Sequence, residues 1–321
     1  MGAIILPARA PRPHRALFTC LFVLSLLAVW CARSVVYEAW TLAALPLIWW
    51  NHSERFLISA QADGFDLTFA NYSTRQLSAA PFEDRVPAIL HHVAMGGAGA
   101  EAHIAKWQDV RQSCIDMHPG WEVFLWTDET ADAFVGAHFP ELHDMWRTYR
   151  YPIQKIDALR YMVLYHYGGV ILDMDLQCRR SLGPLRRFSF VAPAAHPTGF
   201  SVGFMMASKR NEFVGILVRN LGSTGCHYAS MVHAYQRDRS ELKVLAGTSD
   251  NFKMHSLNGH VSTPIFDHLG SSSWHSYDAA MIVTLGKYKG LKVPVVGAAA
   301  VGVTFFVIKR AKKRRSRQIA T

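Results

Sequence analysis

Pro152-Ile-Gln-Lys-Ile-Asp-Ala-Leu-Arg-Tyr-Met-Val-Leu-Tyr-His-Tyr-Gly-Gly-Val-Ile-Leu-Asp-Met-Asp175 carries a helix, a stop, a strand and a pair of acids in that order. Proline suits a first helical position, where its missing N–H would have no intrahelical partner. Ile156, Leu159 and Val163 recur at helical spacing and predict an apolar stripe. Gly168-Gly169 predicts the helix stop, since glycine tolerates the left-handed backbone that ends one. Val170-Ile171-Leu172 then reads as a short buried strand, with Asp173-Met174-Asp175 emerging from its end.

Two carboxylates at i and i+2 on an extended backbone share a side of the strand. At that separation they repel unless a cation lies between them or one takes a proton. Carboxylate oxygens suit hard divalent ions such as Mg²⁺ or Mn²⁺, which keep positions open for substrate phosphates. Asp157 and Arg160, three apart on the helix, read from spacing alone as a surface ion pair.

Outward from this element, strands alternate with helices, the pattern of an α/β sheet. Strands are predicted at the Arg85–His92 stretch, at Trp121–Trp126, Phe188–Ala192, Gly203–Ala207 and Glu241–Ala246. Helices are predicted at Lys106–Met117, near 129–138 and 141–150, and at Asn211–Asn220; His260–Leu269 reads as loop or edge structure. His91 and His92 read as packing or donor-contact residues rather than metal ligands.

The chain has 321 residues and a formal net charge of +10. Arg9, Arg12 and Arg15 at one end, and the seven basic residues from Lys309 to Arg317 at the other, account for the whole excess. The body is neutral, so the balance argues against nucleic acid as a partner. Cys20 and Cys31 lie in an apolar run; Cys114, Cys178 and Cys226 lack metal-ligand spacing, and one disulfide among them is open without a chosen pair.

Residues 1–16 form a basic N-terminus, expected in the cytosol. Residues 17–32 form an uncharged run expected as an uncleaved membrane anchor. Residues 33–85 are expected as a membrane-proximal stem, with Trp40, Trp49 and Trp50 suited to a membrane interface and sequons at Asn51 and Asn71. Residues 86–290 form the expected catalytic domain. Residues 293–308 are a second uncharged run, expected as a transmembrane helix because the basic tail, 309–321, follows at once. With basic residues flanking both ends, two spans place the central domain in the lumen.

Asp157-Ala-Leu-Arg160-Tyr, His166-Tyr-Gly-Gly169 and Asp173-Met-Asp175 together resemble the core of the DXD sugar transferases with the A-type glycosyltransferase (Rossmann-like) fold. Leu125-Trp-Thr-Asp-Glu129, Arg179-Arg180-Ser-Leu-Gly-Pro-Leu185 and Ser271-Ser-Ser-Trp-His275-Ser-Tyr-Asp278-Ala extend the resemblance. Within that group the chain resembles the fungal inositol-phosphoceramide mannosyltransferases and the initiating α-1,6-mannosyltransferases. The resemblance implies a Golgi membrane enzyme with a lumenal catalytic domain, transferring mannose from GDP-mannose to inositol phosphoceramide with retention. It also implies a metal site of Asp173, Asp175 and His275, with Mn²⁺ favoured over Mg²⁺ by the imidazole. Donor contacts are implied for Asp157, Arg160, Ser272 and Trp274. A regulatory membrane subunit is an expected partner. The competing readings are transfer to protein N-glycans, use of another nucleotide sugar, or an inactive paralogue that regulates an active transferase.

The chain departs from the family pattern in two places. Phe200-Ser201-Val202-Gly203 stands where Ser-Asn-Asp is usual, and Asn220-Leu221 runs almost directly into Gly222-Ser-Thr-Gly225. The second departure leads us to expect a lost strand or acceptor loop, and weak transfer by this chain alone.

Overall fold

The computed structural model describes residues 43–69, 82–96, 100–195, 198–246 and 261–270, with scattered positions between 19 and 41. The chain divides into two compact units, Met1–Trp50 and Asn51–Thr321. In the first, residues 43–48 are helical, Trp40 and Trp50 are exposed, and Trp49 is buried. The expected anchor at 17–32 is described only at isolated positions, and the expected span at 293–308 lies outside the described residues. Among the described residues no helix is long and apolar enough to cross a membrane.

The second unit is a mixed α/β domain. Its elements after residue 85 are β1 (Ile89–Val93), α1 (Ala100–Asp116), β2 (Glu122–Trp126), α2 (Asp128–His138), α3 (Pro140–Arg147), α4 (Pro152–Tyr167), β3 (Gly169–Leu172), β4 (Leu176–Cys178), β5 (Phe190–Pro193), β6 (Phe204–Ala207), α5 (Glu212–Arg219), α6 (Gly225–Ala234), β7 (Leu242–Leu245), β8 (Val261–Ser262) and β9 (Phe266–His268). Six strands form the main sheet in the order β2-β1-β3-β6-β5-β7. The β2-β1-β3 half is parallel, as helical crossovers require. β6 runs antiparallel to both β3 and β5. A second sheet, β4-β9-β8, is antiparallel throughout.

Local chemistry accounts for the boundaries. Thr127 caps α2, accepting from the Thr130 amide at 3.3 Å in a reciprocal capping arrangement. Pro140 and Pro152 open α3 and α4. Gly168 and Gly169 end α4 with φ of 71° and 100°. A Cβ at Gly168 would come within 2.6 Å of the Lys209 amide nitrogen, and one at Gly169 within 2.8 Å of the Ile89 carbonyl oxygen. Both glycines are needed for space as well as for conformation.

The predicted stripe on α4 is wider in the structure. All nine residues from Ile156 to Leu164 are buried, because β6, α3, α5 and α6 enclose the helix. The segment expected as stem is also more tightly engaged than its mixed composition suggests. Ile58, Phe65 and Phe69 join the main apolar core, and the Ile58 amide donates to Val244 at the outer edge of β7. Lys243 pairs with Asp63 at 2.6 Å across the same edge. The edge strand is thereby covered, which suppresses pairing with another chain.

Cys114 on α1 and Cys178 on β4 form a disulfide, while Cys226 is free. The short join at Leu221-Gly222 is a turn between α5 and α6. Leu221 is buried, and its carbonyl accepts from the Tyr149 hydroxyl at 2.5 Å.

Candidate active site

β3 delivers the acid pair to the end of the sheet. Leu172 is the last strand residue, paired with Phe204, and the Asp173 amide extends the ladder by donating to the Gly203 carbonyl at 2.8 Å. The chain then reverses: the Leu176 amide donates to the Asp173 carbonyl at 3.1 Å, closing a turn over Met174. This corrects the expectation of two carboxylates on one side of an extended strand. Met174 turns inward against Trp107 and Ala94, and the two acids meet different partners.

Asp173 meets α4. Arg160 donates through Nη1 to Asp157 Oδ1 at 2.6 Å and through Nη2 to Asp173 Oδ1. Both Arg160 and Asp157 are buried, which corrects their reading from spacing as a surface pair. Burial works against the Arg160 charge, but Asp173 and Asp157 outweigh it and hold the guanidinium cationic. Desolvation pushes the Asp173 carboxyl above the usual range; Arg160 opposes that and Asp175 adds to it. Charge pairing of this kind is what lets ions stay inside a protein. Arg160 Nε has no partner among the described residues.

Asp175 meets the second sheet. Its Oδ2 lies 3.3 Å from His268 Nε2, and its carbonyl accepts from the Leu269 amide at 3.0 Å. His268 stands opposite Leu176 in the β4–β9 ladder. A small cleft beside the turn is lined by Asp173, Ser201, Gly203, Phe266 and His268.

The far side of Asp157 faces the short join. A Cβ at Gly225 would lie 3.3 Å from Asp157 Oδ2, and the Tyr161 hydroxyl donates to the Gly225 carbonyl at 3.2 Å. Burial, reinforced by Asp157, pushes the Tyr149 phenol up to about 12 and also raises Tyr161 well above its ordinary value. The shortened segment therefore packs directly against the floor of the site.

The donor set fits a divalent cation in its chemistry. Asp173 keeps Oδ2 clear of Arg160, its side chain is 27% exposed, and Asp175 supplies the second carboxylate. Among the described residues no three His, Cys, Asp or Glu side chains converge on one metal position. The expected third ligand His275, with Ser272 and Trp274, lies outside the described residues.

The histidines on β1 are core residues. Trp126 Nε1 donates to His91 Nδ1 at 3.3 Å, and His91 Nε2 lies 2.9 Å from the Gly168 carbonyl oxygen. Burial lowers His91 to about 4 and His92 to about 3. Neither ring nitrogen of His92 has a partner among the described residues. Sequence reasoning missed His268 and Gly203. The sequence signal for His268 is the short alternation at Phe266-Asp-His268, and for Gly203 it is the departure of Phe200-Ser201-Val202-Gly203 from the family pattern.

Residues 105–191 match the family described as the glycosyltransferase sugar-binding region containing the DXD motif. Inositol phosphoceramide mannosyltransferase 1 of Schizosaccharomyces pombe is 28% identical over 85% of this chain and 90% of its own length. Two mannosyl phosphorylinositol ceramide synthases of Saccharomyces cerevisiae, CSH1 and SUR1, are 33% and 32% identical over 56% and 64% of this chain. The chain spans 51% and 56% of those two relatives. The matched region holds α4, the Arg160 bridge and the acid turn, so motif and geometry point the same way. Over residues 105–191 the chain matches the DXD-containing glycosyltransferases, and it is similar to these mannosyltransferases beyond that region.

Proposed function

We propose that this chain transfers mannose from GDP-mannose to inositol phosphoceramide, on an A-type glycosyltransferase fold. The observation that carries the reading is the acid turn at the end of β3, with Arg160 bridging Asp157 to Asp173 inside the matched region. The names of the S. pombe and S. cerevisiae relatives supply the sugar and the acceptor.

Asp173 and Asp175 would hold the divalent cation, Mn²⁺ in our reading, with His275 as the further ligand. When bound, the ion supplies Lewis-acid neutralisation of the diphosphate leaving group. The chain's own residues prepare that position. Arg160 opposes the burial that raises the Asp173 carboxyl and offsets one of the three nearby acidic charges. Asp157 and Arg160 form the floor on which the donor sugar would rest, while Ser272 and Trp274 are proposed as further donor contacts.

We place the enzyme in the Golgi membrane, anchored at 17–32 and 293–308, with the catalytic domain in the lumen and a regulatory membrane subunit as partner. The Cys114–Cys178 disulfide supports an oxidising compartment.

The test uses membranes carrying the full chain, supplied with Mn²⁺ and either GDP-mannose or other nucleotide sugars. Acceptors are inositol phosphoceramide or an N-glycan, with the product identified by mass. We expect a mannosylated lipid from GDP-mannose alone. A glycan product, or a different donor, would overturn the substrate assignment; no transfer to any acceptor would favour the regulatory-paralogue reading.

A further inference from the structure

Asp173 and Asp175 are gripped from opposite directions, and the grip on Asp175 comes from a part of the chain distant in sequence. β9 holds it twice. The Leu269 amide takes its backbone carbonyl, and His268 Nε2 faces Oδ2 at 3.3 Å. β9 is itself fixed in register against β4 by the Leu176–His268, Gln177–Asp267 and Cys178–Phe266 pairs. Arg179 Nη1 adds a bond to Ser262 Oγ on β8 at 2.8 Å, and the disulfide ties Cys178 to α1. The imidazole is thus carried on a small, cross-linked sheet.

His268 is itself 4% exposed and lies against a carboxylate, Asp175, that is 5% exposed. An ion that must also bind a diphosphate needs open coordination positions on the solvent side. A buried imidazole whose Nε2 lies 3.3 Å from a ligand oxygen belongs behind that ligand. We propose that His268 is the positioning residue for Asp175. Its Nε2–H holds Oδ2, and the carboxylate turns its other oxygen toward the cation. This inference rests on the reading of Asp173 and Asp175 as the cation site. Partners of metal ligands that act in this way orient the ligand, and losing one typically weakens metal affinity roughly 10–100-fold.

Two substitutions separate donor from bulk. His268→Gln keeps an N–H that can reach Oδ2; His268→Met keeps the volume and removes the donor. Binding of Mn²⁺ alone to the full chain in detergent is measured by calorimetry, with the Mn²⁺ dependence of transfer alongside. We expect His268→Met to weaken Mn²⁺ roughly 10–100-fold and to raise the Mn²⁺ concentration for half-maximal transfer by a similar factor. kcat should be regained at saturating ion, and His268→Gln should stay within a few-fold of the wild type. Unchanged Mn²⁺ affinity in His268→Met would overturn the proposal. So would a His268→Gln variant as weak as His268→Met, because the imidazole nitrogen itself would then be required. A wild-type chain that binds no Mn²⁺ would bring down the cation reading, and this proposal with it. If His268→Met fails to fold, His268→Gln against His268→Leu makes the same comparison.

Discussion

β1 and β3 lie side by side and run parallel, and each carries a pair of titratable side chains close to its end. The histidine pair falls inside the ladder, where His91 faces Ile171 and His92 faces Leu172. The carboxylate pair begins one residue past the last strand position and continues through a turn. That offset decides the chemistry. Inside the ladder, burial strips the imidazoles of charge. Past its end, charged and hydrogen-bonding partners come from two other directions, and Arg160 opposes the burial that raises Asp173. A polar pair at a strand end therefore reads as a site only once its position relative to the final pairing is known.

The largest test of the contrast is to remove the carboxylates. Asp173→Ala and Asp175→Ala should each cut turnover at least about a thousandfold, since a metal Lewis acid contributes several kcal/mol to the transition state. Abundance should change little for Asp175→Ala. Wild-type turnover in either variant, measured by lipid product, would remove the acid turn from the chemistry.

Arg160 links the turn to the helix. Arg160→Ala leaves Asp157 and Asp173 facing each other without their cation, which costs about 3–5 kcal/mol for a buried pair. Denaturant unfolding should show that loss, and Arg160→Lys should recover only part of it because one ammonium cannot bridge both acids as the fork does. Full stability in Arg160→Ala would mean that solvent screens the triad.

The disulfide reaches the turn from the other side. Cys114→Ser with Cys178→Ser should cost about 2–4 kcal/mol, seen as a lower melting temperature that reductant reproduces in the wild type. The loss should loosen Asp175, whose strand it anchors, more than Asp173. Equal loss of Mn²⁺ binding through both acids would argue against separate anchoring.

The histidine side of the comparison predicts a pH effect. His92 is lowered to about 3 when folded, against 6.5 as its ordinary value. The unfolded chain therefore binds the extra proton between those values, and stability falls as pH drops through that window. His92→Leu removes this term, flattening the acid slope by roughly 1.4 kcal/mol per pH unit, while transfer at neutral pH stays near wild type. An unchanged acid slope would show that His92 is not buried as a neutral ring.

Much of this was legible locally. The helix from Pro152, its double-glycine stop, the buried strand and the acid pair are each specified within a few residues, and the structure has them in that order. What escaped depends on contacts across long separations. Cys114 pairs with Cys178 because α1 runs along β4, and spacing alone cannot choose that partner over Cys226. Phe65 and Phe69 enter the core from a stretch whose composition is mixed. His268 reaches Asp175 only through the β4–β9 pairing. The short join, where a strand or acceptor loop was expected to be lost, is a helix-to-helix turn, closed by Tyr149 and packed on Asp157.

Gly203 gives the smallest and most local test. It stands where the family pattern has a polar side chain, and the structure supplies a reason for its bareness. A Cβ there would lie under 3.0 Å from Asp173 Oδ2 and 3.0 Å from Asp173 Cγ, with Ser201 Oγ at 3.4 Å. A free carboxylate would swing aside, but this one is tied to Arg160 at Oδ1 and to the Gly203 carbonyl through its own amide. Alanine must therefore displace Asp173 from Arg160 or bend the start of β6, and overpacking of this kind costs about 1–3 kcal/mol. The double variant distinguishes this from a general strand defect. If the clash is with the Asp173 side chain, Gly203→Ala should be nearly neutral once Asp173 is alanine. An equal cost in both backgrounds, read from denaturant midpoints, would mean that Gly203 serves the strand rather than the carboxylate.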